Sequence, residues 1–279
     1  MKKRFFPQDE FNDSYASQMA SANDVYALRK KSGIEDYILA EYDFTFISDD
    51  EKKLEDLSKF LSEFYKYKIR EIKLVNENWQ LDGDATAFPV DDDNLMYWAL
   101  DLYCKGFEFD CRLDGYGAVA DFNLGFPKME KKLYEYYFDL GLEAYNNRNL
   151  GMAIINWTTA IKIDPNDPNT WYSRAIAKDE LHTWKAARRD YDKAIELAPN
   201  FTSAIVNRAA NKDEAGDYDE AIEDYSKVIE LEPNNEMAYF NRGNSKFNKK
   251  DQKGACADWI KAKELGATYA EERLIKYCK

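Results

Sequence analysis

Apolar positions in the second half of the chain recur at a fixed interval. Pro165, Pro199 and Pro233 lie 34 residues apart, and Ala267 stands where the next would fall. The same interval separates Ala153, Ala187, Ala221 and Ala255, the aromatics Trp157, Tyr191, Tyr225 and Trp259, and the series Ala160, Ala194, Val228 and Ala262. The small residues Gly141, Ala175, Ala209 and Gly243 keep step with them. Registers in phase over four units predict one supersecondary motif repeated four times. The residue types make that motif a helix pair. Small residues let two helices approach closely, an aromatic fills the remaining space, and proline, lacking an N–H, ends the second helix. Asn149-Leu150-Gly151 and Gly216-Asp217-Tyr218 read as turns inside units one and three. A solenoid needs its open end covered. Residues 268–279 form the expected cap, with Tyr269, Leu274, Ile275 and Tyr277 as its apolar side.

The first half is patterned differently. Residues 1–20 are polar without periodicity and are read as a flexible segment. A short helix is expected from Ser21 or Asn23, carrying Val25, Tyr26 and Leu28 and ending before Gly33. Over 37–47, Tyr42, Phe44 and Phe46 alternate with Asp43 and Thr45, the period of a half-buried strand. Ser48-Asp49-Asp50 opens a helix with Leu54, Leu57, Leu61 and Phe64 on one face. Strands follow over 69–75 and 79–88, with a hairpin turn at 76–78. Asp91-Asp92-Asp93 begins a second helix with Leu95, Trp98, Ala99 and Leu102, and Phe107, Phe109, Cys111 and Leu113 alternate in a last strand. The order β-α-β-β-α-β behind an extra N-terminal helix predicts an α+β domain, an antiparallel sheet with helices on one face in the ferredoxin-like style. The fold class expected for the whole chain is therefore α+β followed by an all-α solenoid.

Charge sharpens this division. The net charge of −13 over 279 residues is uneven, with −11 in residues 1–126 and −2 in the remainder. An acidic domain repels phosphate backbones, so direct nucleic-acid binding is not expected and a basic protein surface is the natural partner. No apolar run reaches the length of a membrane span, and Met1-Lys2-Lys3-Arg4 is followed by Pro7 to Glu10 rather than an apolar stretch, so a cytoplasmic protein is expected. The four cysteines, Cys104, Cys111, Cys256 and Cys278, form no C-x-x-C pair and are read as free thiols of a reducing compartment.

Candidate chemistry is sparse. The single histidine, His182, falls in the turn of unit two, away from any nucleophile pattern, and no glycine-rich phosphate loop occurs. Consecutive Asp91, Asp92 and Asp93 point in different directions at a helix start and favour its dipole rather than a metal. Asp82-Gly83-Asp84 lacks the spaced ligands of a calcium loop and reads as a turn. No catalytic residue, metal or cofactor is expected.

The spacing and residue types of the second half resemble the tetratricopeptide repeat (TPR) family over 134–267, with Trp171 and Tyr239 at the family's first aromatic position. The resemblance implies a curved array whose concave face is lined by the first helices. On this chain that face would carry Phe138, Tyr172, Val206 and Phe240, then Leu142, Ile176, Ala210 and Asn244, then Tyr145, Asp179, Asp213 and Phe247. Aromatic at several points and acidic in the middle, it suits an extended or helical peptide with apolar anchors and a basic residue. The lysines with which some family members grip a C-terminal carboxylate are missing, since the corresponding positions hold Phe138, Leu142, Asn207 and Asp213.

The first half resembles a second family, the regulator of ribonuclease activity B (RraB), which inhibits ribonuclease E. The resemblance rests on 23–28 with Gly33, on Tyr42, Phe44 and Phe46 before Ser48-Asp49-Asp50, and on Trp79 and Pro89. It continues in Gly106-Phe107-Glu108-Phe109-Asp110 and Asp114-Gly115-Tyr116-Gly117. It implies an inhibitor that acts by binding, with Asp110, Asp114 and Tyr116 as contact residues. The added repeats depart from that family and put its target in doubt. The expected organisation is a flexible segment over 1–20, an RraB-like domain over 21–122, a join over 123–133, four repeats over 134–267 and a cap over 268–279. The expected function is a non-catalytic regulator with a ribonuclease E-like partner for the first domain and a second protein in the repeat groove. An immunity-type inhibitor of a toxin, or an enzyme with a carboxylate site scaffolded by the repeats, are the alternatives.

Overall fold

A computed structural model describes residues 4–31, 38–119 and 133–278. The chain divides into two compact units, Met1–Pro165 and Asn166–Lys279. In the first, α1 (Gln8–Lys31) precedes β1 (Ile38–Ser48), α2 (Glu51–Phe64), β2 (Lys68–Val75), β3 (Asn78–Asp84), β4 (Phe88–Val90), α3 (Asp92–Glu108) and β5 (Arg112–Val119). The first helix pair, α4 (Leu133–Asn146) and α5 (Leu150–Ile163), belongs to the same unit. Gly33 and all but the last residue of the join expected over 123–133 lie outside the described residues.

Strand β1 is central because its alternating aromatics have the most to bury. Tyr42, Phe44 and Phe46 are at most 1% exposed. β1 pairs antiparallel with β3 (Phe44↔Gly83), with β4 (Ala40↔Phe88) and with β5 (Phe44↔Tyr116), and β3 pairs antiparallel with β2. The β2–β3 turn places Asn76 and Glu77 at φ 47° and 73°, the doubly left-handed geometry that matches strand twist in two-residue hairpins. Leu54, Leu57 and Leu61 of α2 and Leu95, Trp98, Ala99 and Leu102 of α3 are all buried. Asp50 and Asp91 cap the two helices, accepting from the backbone N–H of Lys52 and Asn94 at 3.0 and 2.7 Å.

Two features differ from the sequence expectations. The helix expected from Ser21 begins at Gln8, inside the stretch read as structureless. It is held by rings: Phe6 and Phe11 pack on Tyr103 and Phe107, one turn apart on α3, and the Tyr103 hydroxyl donates to Phe11 O at 3.0 Å. The last strand was expected to begin at Phe107, but α3 runs through Glu108 and β5 starts at Arg112. The alternation of Phe107, Phe109, Cys111 and Leu113 spans a helix end, a left-handed Asp110 (φ 57°) and a strand start. Gly106 permits this turn, since a Cβ there would lie 2.7 Å from Cys111 O and from the Phe46 ring.

The first helix pair packs on α3. A Cβ on Gly151 would stand 3.0 Å from Tyr97 O, the Tyr65 hydroxyl donates to Arg148 O at 3.0 Å, and Lys162 pairs with Asp91 at 3.3 Å. As a result α5 is buried at Leu150, Gly151 and continuously from Ala153 to Ile161.

The second unit is all helix: α6 (Pro168–Glu180), α7 (Trp184–Leu197), α8 (Thr202–Ala215), α9 (Tyr218–Leu231), α10 (Glu236–Asn248), α11 (Gln252–Glu264) and α12 (Ala270–Tyr277). Every turn inside a helix pair passes through one left-handed residue: Arg148, His182, Gly216 and Lys250, with φ 62°, 56°, 83° and 69°. Only glycine takes this conformation without steric cost, so His182 is there as a turn residue. In the cap, Leu274 and Tyr277 pack against buried Trp259, whereas Ile275, expected on the same apolar side, is 68% exposed. An eight-residue helix has room for one apolar face, and Ile275 follows Leu274 onto the next.

The cysteines do not all stay free. Cys104 and Cys111 are free thiols whose pKa burial pushes up to about 12. Cys256 and Cys278 form a disulfide with Cα atoms 5.7 Å apart. They lie 22 residues apart in sequence and meet because α12 folds back over α11. This bond removes the argument for a reducing compartment.

Candidate functional site

Each later helix pair is locked by a buried ion triad repeating every 34 residues. Arg174 of α6 chelates Asp190 of α7 through two hydrogen bonds of 2.7 Å, and Lys178 adds a contact at 2.9 Å. Arg208 and Lys212 hold Asp224 at 2.6–3.0 Å, and Arg242 and Lys246 hold Asp258 at 2.7–2.9 Å. Asp190 is 3% exposed, and its guanidinium and ammonium partners keep its carboxyl below the usual range despite burial. The triads fix the rotation of each first helix and hence which residues its outer face presents.

That face carries an aspartate in the two middle pairs. Asp179 accepts from the Tyr191 hydroxyl at 2.8 Å and from Asn211 Nδ2 at 2.6 Å, so both its oxygens are used. Arg188 supports Asn211 by donating to its Oδ1 at 3.1 Å and continues to Asp217 at 2.8 Å. Asp213, one repeat on, accepts from the Ser245 hydroxyl at 2.9 Å and has the Tyr225 hydroxyl beside it. Its Oδ1 is buried and accepts no hydrogen bond among the described residues. Burial raises the pKa of both aspartates, most of all through lost hydration.

Around Asp213 opens a cavity of about 500 Å³ lined by Glu214 and Tyr218, by Asn241, Asn244 and Asn248 of α10, and by Arg273 of α12. Trp259 Nε1 donates to Asn244 Oδ1 at 3.2 Å, which turns the amide's own donor end the other way. Asn241, Asn244 and Asn248 follow one another at three and four residues and so share one helix face. The sequence reading named Asp213, Asn244, Ala210 and Phe247 here and missed Glu214, Asn241, Asn248 and Arg273. The i, i+3, i+7 asparagine series was the available signal.

The aromatic anchors expected on this face are largely engaged. Tyr172 packs on Phe201 and accepts from Asn207 Nδ2 at 3.2 Å, and Val206 is half-buried against Ala209 and Tyr225. Ile176 packs beside Ala175 and Tyr191. Phe240 meets the Tyr269 ring edge-on at 4.7 Å, and Phe247 lies 4.4 Å from the Tyr277 ring. In the first unit, Phe138 stacks near Tyr134 and its carbonyl accepts from Trp157 Nε1, Tyr145 packs on Trp157, and Leu142 is 38% exposed. The polar residues, more than the rings, are left facing outward.

The residues expected to act in the α+β part do not converge. Asp110 is occupied internally: its carboxylate accepts from the backbone N–H of Phe5 and Phe6 at 3.2 and 2.9 Å and pairs with Lys53 at 2.8 Å. These partners hold its pKa down. Asp114 is exposed and Tyr116 half-buried, at a cavity of about 220 Å³ between α1 and β5. The Tyr116 ring meets Trp98 edge-on at 5.6 Å, its buried hydroxyl has no hydrogen bond among the described residues, and burial raises its pKa to about 12. Among the described residues no group of three or more His, Cys, Asp or Glu is placed to hold a metal, and no helix is long and apolar enough to cross a membrane.

Comparison with known proteins bears on the repeats. No curated protein matches the chain significantly. MamA matches structurally with 24% identity over 53% of this chain and 88% of its own, TM-score 0.47. YrrB, described as a TPR protein with an unusual peptide-binding site, matches with 19% identity over 63% of this chain and 81% of its own, TM-score 0.48. Residues 214–250, which span α9 and α10 with the Gly216 turn, match the family model described as TPR repeat.

Proposed function

We propose that the chain is a non-catalytic regulator that works by binding proteins, with the outer face of the first helices holding an extended segment of a partner. The observation that carries this reading is the open polar groove at Asp213, Asn241, Asn244 and Asn248, held rigidly by the ion triads on a match to the TPR repeat model. Affinity-purification of the full chain tests it. Wild type should retain a discrete protein that a double substitution, Asn241→Ala with Asn248→Ala, releases. Recovery of the same proteins by both forms would remove the groove from the function.

The α+β part is proposed to be RraB-like and to bind and restrain a ribonuclease E-like enzyme. Its sheet runs β2-β3-β1 with β4 and β5 both pairing β1, antiparallel throughout, which supports a ferredoxin-like arrangement, and its charge of −11 over residues 1–126 suits a basic partner surface. Purified ribonuclease E, titrated with the full chain, should lose activity, less so as salt screens the attraction. An unchanged rate at low salt would detach the nuclease from this part while leaving the repeat groove untouched. A cytoplasmic location belongs to the same proposal, and finding Cys256 and Cys278 oxidised in freshly lysed cells would count against it.

A further inference from the structure

The two aspartates of the middle repeats occupy equivalent positions, yet one is closed and the other open. At Asp179 the amide of Asn211, braced by Arg188, fills the second carboxylate oxygen. The residues 34 further along are Ser245 and Ile222. Serine reaches one oxygen of Asp213 and no further, and isoleucine has no brace to give. The result is a buried carboxylate oxygen that accepts no hydrogen bond among the described residues, on a side chain that lines a cavity of about 500 Å³. Leaving a buried carboxylate oxygen unsatisfied is costly, so the site is one donor short.

We propose that this cavity is a recognition pocket for an arginine or lysine side chain of the bound partner segment, with Asp213 as its counter-charge. The inference rests on the reading of the groove as a protein-binding face and names what it selects. Glu214 adds a second negative charge at the rim. The donor end of Asn244, fixed by the Trp259 indole behind it, and the amides of Asn241 and Asn248 offer hydrogen bonds to the segment's main chain. Arg273 closes the far wall. Among the described residues it makes no ion pair, and its guanidinium lies 5.9 Å from the Tyr277 ring centroid, so it can donate to a main-chain carbonyl. An anionic segment would instead face Asp213 and Glu214 with like charge.

The test uses the full chain and three capped nine-residue Gly-Ser peptides whose central residue is Arg, Met or Glu. The ¹⁵N–¹H signal of the Trp259 indole, bonded to Asn244, reports occupancy. The Arg peptide should shift it saturably and the Met and Glu peptides should bind about tenfold more weakly or not at all. Asp213→Asn, which keeps the shape and supplies its own donor, should weaken the Arg peptide about tenfold without loss of thermal stability. Ser245→Asn copies the closed neighbouring site and should do the same. Equal binding of the Arg and Met peptides, or full binding by Asp213→Asn, would overturn the cationic pocket while leaving the groove as a binding face. No shift with any peptide would overturn the pocket as well. The separate purification with Asn241→Ala and Asn248→Ala then decides the groove itself.

Discussion

In the three later helix pairs an aspartate on the second helix lies buried beneath an arginine and a lysine of the first. At the corresponding places the first pair carries Asn156, Leu140 and Ala144. The hairpins are alike, but their surroundings differ. α5 has α3 on one side and α4 on the other and is buried almost throughout, whereas α7, α9 and α11 bury five, four and four residues each. A helix covered on both sides is held by apolar burial, which needs no orientation. A helix with one side in water gains from a directional lock that fixes its rotation, and bidentate arginine–carboxylate pairs supply one.

A second contrast crosses the first. The outer pairs, one and four, combine glycine on the first helix with Trp157 or Trp259 on the second and with an aromatic, Tyr145 or Phe247, at the outer face. The middle pairs combine Ala175 or Ala209 with Tyr191 or Tyr225 and an aspartate. The wider indole excludes a methyl group: a Cβ on Gly141 would lie 2.3 Å from Trp157 Nε1. The tyrosine leaves room for alanine and presents a hydroxyl that the aspartate accepts.

Substitutions can break these contrasts in graded fashion. Asp224→Ala leaves Arg208 and Lys212 with only their exposed partners, Asp192 and Glu220, and should cost about 3 kcal/mol in chemical denaturation of the second unit. Asn156→Ala, its counterpart in the first pair, should cost about 1 kcal/mol. Equal losses would show that the triads contribute no more than an amide does.

The first pair has a buried charge beside it of another kind. Asp101 of α3 accepts from Gly151 N–H and lies beside the Tyr65 hydroxyl, and burial raises its pKa from 3.8 to about 6, with Lys105 opposing the rise. The folded state therefore binds this proton more tightly than the unfolded chain. The stability it lends is fully present below pH 3.8 and is lost as pH rises through 6. A difference of that size corresponds to about 3 kcal/mol at most. Asp101→Asn should flatten the pH dependence of the denaturation midpoint between pH 4 and 7 and raise it at neutral pH. An unaltered pH profile would mean the carboxylate is charged and solvated.

Gly141→Ala should destabilise by about 1–3 kcal/mol through overpacking against Trp157, and Ala209→Gly by about 1 kcal/mol through helix propensity alone. Pairing Gly141→Ala with Trp157→Tyr should recover much of the loss. The smallest effects concern the turns: His182→Gly should stabilise and Gly216→Ala destabilise, each by about 1 kcal/mol.

What the sequence disclosed follows from what repeats. The helix pairs were legible because alanine, aromatic and proline positions recur in phase, and the sheet because Tyr42, Phe44 and Phe46 alternate cleanly. The triads recur just as strictly, but Arg174, Lys178 and Asp190 are residue types that usually face water, and burial makes their periodicity meaningful only once the helices are packed. α1 was missed because its anchors, Phe6, Phe11 and Tyr15, are too few to set a helical period against so many polar neighbours. The pocket at Asp213 was half legible. The aspartate was on the expected face, but its missing donor appears only when Ser245 is set beside Asn211 in space.

The Cys256–Cys278 bond has a mechanical consequence. A force applied at the C-terminus enters the fold through Cys278 and crosses the sulfur atoms to Cys256 near the start of α11. The cap helix and most of α11 therefore lie outside the loaded path. Pulled from that end, the oxidised chain should yield a contour shorter by the enclosed 22 residues than the reduced chain, about 8 nm at full extension. The last turns of the second unit would stay slack while the helix pairs before them give way.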